Sequence, residues 1–130
     1  MRWTCPQCDR EFGRANTGHV CVPGTTVDSV FAGKPPYMRA VYDAILARLL
    51  ASGPVHEDAV TVGVFLKAER KVAEVRPRAR SVLVHVMLDR PVDGAKPASA
   101  STWYLSRSLT SGEVPEDLLA LLDAAYDAAS

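Results

Sequence analysis

Three cysteines and a histidine near the N-terminus have the types and spacing to grip a metal ion. Cys5 and Cys8 are two residues apart, and after ten intervening residues come His19 and Cys21. A Cys-x2-Cys pair fits the tight turn in which both sulfurs face one ion, and Pro6-Gln7 suits that turn. His19 and Cys21 close the loop from the other side, completing the soft and borderline donor set that tetrahedral zinc takes. Four protein donors leave no open coordination position, so the zinc expected here is structural. A segment this short cannot hold itself together, and a metal supplies folding energy on the order of 10 kcal/mol in comparable peptides. A redox Cys-x2-Cys would open a helix after a strand, and no strand pattern precedes Cys5. Trp3 and Phe12 are the expected miniature core.

A second group of chemistry-bearing residues lies further on. Phe65, Lys67, Arg70, Trp103 and Arg107 mix aromatic and cationic side chains on strand-like segments, the combination that stacks on and neutralises an anionic ligand. His85 sits between Val84 and Val86, with Leu83 and Met87 at its strand-alternation positions. It is either a hydrogen-bonded core residue or a polar group at a pocket floor, with Tyr104 and Glu74 as polar companions. No phosphate-cradling glycine loop, nucleophile elbow or HExxH is present, and no catalytic residue is assigned.

The charges balance at 15 basic and 15 acidic residues, which argues against bulk polyelectrolyte binding. They are unevenly placed. Residues 64–90 carry seven bases against three acids, and residues 111–130 carry five acids and no base. No apolar run approaches the roughly 20 residues of a membrane helix. The stretch Met1-Arg2-Trp3-Thr4-Cys5 lacks the apolar core of an export signal, so a reducing, cytoplasmic compartment is expected.

Three regions position these groups: residues 1–24 as the zinc module, residues 25–36 as a linker with one helical turn, and residues 37–130 as the main domain. Thr26 is placed to cap a turn over Val27 to Ala32, and Gly33 to stop it. After Pro35-Pro36, the residues Met38, Val41, Tyr42, Ile45, Leu46 and Leu49 fall on one helical stripe that ends at Gly53-Pro54. The alternation Val60, Val62, Val64, Leu66 predicts one strand. Val72 to Arg76 is its hairpin partner, Ser81 to Asp89 an apolar central strand, and Thr102 to Leu109 a fourth strand. His56 falls in a loop, as do Lys96 to Thr102. From about Pro115, Leu118, Leu121, Leu122, Ala125 and Tyr126 share one helix face. The fold class expected is therefore α+β: an antiparallel four-stranded meander with the N- and C-terminal helices packed on one face, plus the small zinc module.

Particular words of the sequence carry a resemblance. Phe31-Ala-Gly-Lys-Pro-Pro-Tyr37, Val41-Tyr-Asp43, Gly53-Pro-Val55, Val62-Gly-Val-Phe-Leu-Lys67 and Val72-Ala-Glu-Val-Arg-Pro77 resemble the bacterial family called domain of unknown function 5655. Trp3-Thr-Cys-Pro-Gln-Cys8, Phe12-Gly-Arg14 and His19-Val-Cys21 look like the short zinc-binding leader on some of its members. The resemblance implies a small α+β domain of unassigned activity. The order helix, strands, helix is also similar to that of frataxin-like domains, whose acidic ridge would here fall to Glu116, Asp117, Asp123 and Asp127.

The functional expectation is a zinc-bearing, non-enzymatic binding module whose bare sheet face contacts nucleic acid or another anionic partner, or a protein. Two alternatives stay open. One is an enzyme or small-molecule binder with a pocket between sheet and helices, using His85, Tyr104 and Glu74. The other is a structural or homo-oligomerisation module.

Overall fold

A computed structural model of the chain describes residues 3–4, 11–13 and 26–130. The metal-ligand candidates Cys5, Cys8, His19 and Cys21 lie outside the described residues. Near the N-terminus, β1 (Trp3–Thr4) pairs antiparallel with β2 (Glu11–Phe12), Trp3 opposite Phe12 and Thr4 opposite Glu11.

The short helix α1 (Val27–Phe31) starts at Thr26 in a reciprocal cap: Ser29 N–H donates to Thr26 Oγ1, and Thr26 N–H donates to Ser29 Oγ. Val30 and Phe31 are buried, so this stretch of the expected linker is part of the core. Gly33, at φ +74°, turns the chain into α2 (Pro36–Ser52). The buried face of α2 is Met38, Val41, Tyr42, Ile45 and Leu49, spaced as one helical stripe requires. A fully buried Leu or Ile contributes roughly 2–3 kcal/mol through removal from water.

Six strands follow: β3 (His56–Val60), β4 (Gly63–Lys67), β5 (Lys71–Pro77), β6 (Val82–Leu88), β7 (Lys96–Pro97) and β8 (Trp103–Leu109). They form one antiparallel sheet in the order β3-β4-β5-β6-β8-β7. The helix α3 (Glu116–Ala129) completes the domain and packs against α2, β5 and β6. The α+β class, the antiparallel sheet and the covered face match the expectation; the strand count does not. The alternation from Val60 to Leu66 is two strands, folded at Thr61-Val62, with Val60 opposite Gly63 and Val62 56% exposed. The polar stretch after Pro54, read as a loop, is β3, and Lys96-Pro97 adds a short edge strand.

Register sorts the sheet residues by face, because side chains of directly opposed residues point the same way. Val64, Leu66, Ala73, Val75, Val82, Val84, Val86, Leu105 and Leu109 make up the buried side under the helices. On β6, every second residue from Val82 to Leu88 is buried, while Leu83, His85 and Met87 are half-buried on the other side.

Candidate functional site

A single transverse row runs across the sheet on the face turned away from the helices. Asp58, Phe65, Glu74, His85 and Ser106 are successive register partners on β3, β4, β5, β6 and β8. Odd-even parity on each strand then puts His56 and Lys67, Met87 and Tyr104, and Arg76 and Leu83 beside this row on the same face. Lys96, opposite Tyr104 on β7, extends it at the sheet edge.

The row is electrostatically organised. Lys67 Nζ lies 3.0 Å from the buried Asp58 carboxylate. Glu74, only 4% exposed, accepts from Arg76 Nε at 2.6 Å and has Lys71 Nζ at 3.6 Å from its other oxygen. Burying a carboxylate demands such partners, since an unpaired buried charge is expensive. Lys71 Nζ also stands 4.4 Å from the Phe65 ring centroid, within cation–π range. Beside Glu74, His85 Nδ1 shares a 2.6 Å hydrogen bond with Ser106 Oγ, and Tyr104 meets the His85 ring edge-on at 5.9 Å. Burial lowers the His85 pKa from its ordinary value; the Glu74 charge opposes that shift, and Arg76, Lys71 and Arg78 add to it. His85 is therefore held neutral at pH 7.

Of the residues expected to touch a ligand, Phe65, Lys67 and His85 share this face. The other three are elsewhere. Arg107 is opposite Val84 and Trp103 opposite Leu88, so both point to the helix side. Arg107 Nη2 is 3.2 Å from Asp117 and ties β8 to the start of α3, while Trp103 packs against the core. Arg70 closes the other end of α3: its N–H donates to the Ala129 carbonyl at 3.0 Å and its guanidinium to Ala128 O at 2.6 Å. Two long-range carbonyl contacts make Arg70 a helix C-terminal cap. Aromatic-cationic composition could not reveal this, because register decides the face.

The alternative pocket is also relocated. His85, Tyr104 and Glu74 lie together, but on the face away from the helices, while apolar side chains fill the space between sheet and helices. Ser106, His85 and Glu74 adjoin in register without forming a relay: Glu74 is engaged by Arg76 and Lys71, and no hydrogen bond joins it to His85. Asp58, Lys71 and Arg76 were missed as site residues. The signal available was the period-two placement of charges on β5, where Glu74 and Arg76 alternate with Ala73 and Val75.

The acidic segment does not form a free ridge. Arg48 grips Asp123 through Nε and Nη2, the closest contact 2.7 Å, and reaches Glu116 at 3.3 Å, clamping α2 to α3. The Arg48 partnership lowers the Asp123 pKa. Asp117 is paired with Arg107, which leaves Asp127 as the one acid of α3 with no ion pair among the described residues.

Fold and site together define an α+β domain that buries one face of an antiparallel sheet under helices and sets a row of aromatic, cationic and histidine side chains on the other. No family model, no characterised protein and no solved structure matches the chain. Among the described residues, no helix is long and apolar enough to cross a membrane.

Proposed function

We propose that this chain is a zinc-bearing, non-enzymatic binding protein whose sheet face contacts single-stranded nucleic acid. The observation that carries the reading is the Phe65–Lys71 pair, an aromatic ring with an ammonium 4.4 Å from its centre on a face that none of the described helices covers. Phe65 and Tyr104 lie on that face three strand spacings apart and two residues out of line, about 16 Å at ordinary sheet geometry. That separation suits two stacking positions along one strand of nucleotides, and Lys71 and Lys96 stand beside the two rings for backbone phosphates. Asp58 and Glu74 neutralise Lys67 and Arg76, so stacking, more than net charge, supplies the attraction.

Cys5, Cys8, His19 and Cys21 are the proposed zinc ligands. The donor chemistry supports the assignment, and so does the pairing of β1 with β2, which flank Cys5 and Cys8 in sequence. Kinship with the family called domain of unknown function 5655 is proposed on the sequence words given above, and the α+β architecture accords with it.

Retention on a single-stranded nucleic-acid column that falls with rising salt is the expected result, with Phe65→Ala plus Lys71→Gln weakening it about tenfold. Equal retention of that variant, or none for the parent protein, rejects the sheet-face reading. One bound zinc per chain by mass analysis, lost in Cys5→Ser, is expected for the leader; metal-free protein rejects it.

A further inference from the structure

A second basic site lies at the end of the sheet, next to the row of Phe65 and His85, and Arg76 borders both. A cleft of about 380 Å³ is lined by Val30, Lys34, Thr61, Val62, Arg76, Pro77 and Arg78. Four separate segments meet there: the end of α1, the α1–α2 turn, the β3–β4 turn and the end of β5. Three of its seven lining residues are cations and none is acidic. Its volume falls in the range of small-molecule sites, roughly 300–1,000 Å³.

Each cation is placed by the fold. Gly33, at φ +74°, allows the turn that presents Lys34, and Lys34 N–H closes that turn on Phe31 O at 3.1 Å. Arg76 is anchored by Glu74 at 2.6 Å, and its stem crosses Gly63, where a Cβ would approach Arg76 Cγ to 2.9 Å. Arg78 begins a turn closed by its N–H to Ser81 O at 2.8 Å, and Tyr37 donates to Arg80 O at 3.0 Å to brace the turn against α2. Lys34 and Arg78 both line the cleft and make no ion pair among the described residues. The Thr61 side chain adds a hydroxyl, a neutral donor. Val30, Val62 and Pro77 supply an apolar wall, and Val62 is one of two large apolar residues left markedly exposed among the described residues.

We infer that this cleft binds a small phosphate monoester, with the phosphate held by Lys34 and Arg78 and the organic body against Val30, Val62 and Pro77. A dianion matches these two cations, and a guanidinium held on a closed turn offers the paired donors that phosphate oxygens accept. The apolar wall distinguishes an ester from the free ion, because only an ester brings surface to bury there. The site is independent of the sheet-face reading: it shares no proposed contact residue with it.

The test is titration calorimetry on the full chain at low salt, with a nucleoside monophosphate and inorganic phosphate as probes. The expected result is that the nucleotide binds, that it binds more tightly than inorganic phosphate, and that Lys34→Gln plus Arg78→Gln weakens it by about tenfold or more. Both positions are exposed, and the single Arg78→Gln substitution repeats the measurement with a smaller change. Phe65→Ala plus Lys71→Gln is expected to leave this binding unchanged, as is Arg90→Gln, a surface cation paired with Asp89. No binding of the nucleotide, or equal binding by the cleft variants, overturns the site. Equal affinity for inorganic phosphate overturns the ester, and loss of binding in the sheet-face variant moves the anion site out of the cleft.

Discussion

Glu74 and His85 face each other across β5 and β6, a carboxylate buried to 4% exposure next to an imidazole that burial keeps neutral. Neutrality has a consequence for stability. The folded-state pKa of His85 lies below the ordinary 6.5, so as pH falls past that value the unfolded chain takes up this proton first. The contribution is fully present above about pH 6.5 and is lost as pH falls toward the folded-state value. Burial is the largest cause; the Glu74 charge opposes the shift, and Arg76, Lys71 and Arg78 add to it. Urea unfolding at pH 7 and pH 5 is therefore expected to show a smaller loss for His85→Gln than for the parent chain. An equal loss in both would mean that His85 titrates normally.

Tyr42 is fully buried in α2, and its hydroxyl donates to the Glu57 carboxylate on β3. Burial and the Glu57 bond raise the Tyr42 pKa, so the phenol keeps its proton throughout the physiological range. Removing the hydroxyl deletes a bond to a charged acceptor but leaves Glu57 in reach of water. Tyr42→Phe is expected to cost about 1–2 kcal/mol at neutral pH by urea unfolding. A value near zero would show that Glu57 exchanges Tyr42 for solvent freely.

Arg70 separates two roles that composition confounds. As a cap it satisfies the terminal carbonyls of α3, and Arg70→Ala is expected to lower stability by about 1 kcal/mol while leaving nucleic-acid retention unchanged. The reverse pattern, with stability intact and retention lost, would return Arg70 to the contact surface.

The helices were legible because their signals are local. The stripe of α2, the Thr26 cap and the punctuation at Gly33 and Gly53 all act within a few residues. The hairpin at Thr61-Val62 was hidden because valines at 60, 62 and 64 continue the alternation through the turn, where Val62 faces solvent. The strand β3 was hidden because His56-Glu57-Asp58 is polar, and its fit depends on distant partners: Tyr42 for Glu57 and Lys67 for Asp58. The site was half legible for the same reason. Aromatic and cationic residues could be named, but only the pairing of β6 with β8 shows that Arg107 shares a face with Val84 while Ser106 shares one with His85. A shift of one residue would have exchanged them.

Gly63 links the fold to the cleft. It opens β4 after the Thr61-Val62 turn, where a Cβ would come within 2.6 Å of Val75 O and 2.9 Å of Arg76 Cγ. The first neighbour is backbone in the middle of β5, so it cannot simply rotate away, and the strands must separate locally. Gly63→Ala is expected to cost about 2 kcal/mol, the usual scale for forcing one carbon into a packed site. The second neighbour is the stem that Glu74 and the cleft both depend on. If the stem is displaced, Arg76 loses its 2.6 Å bond, and Glu74 keeps only Lys71 at 3.6 Å. Urea unfolding measures the first effect. A Gly63→Ala chain with parent-like stability would show that β4 and β5 can part at this point without cost.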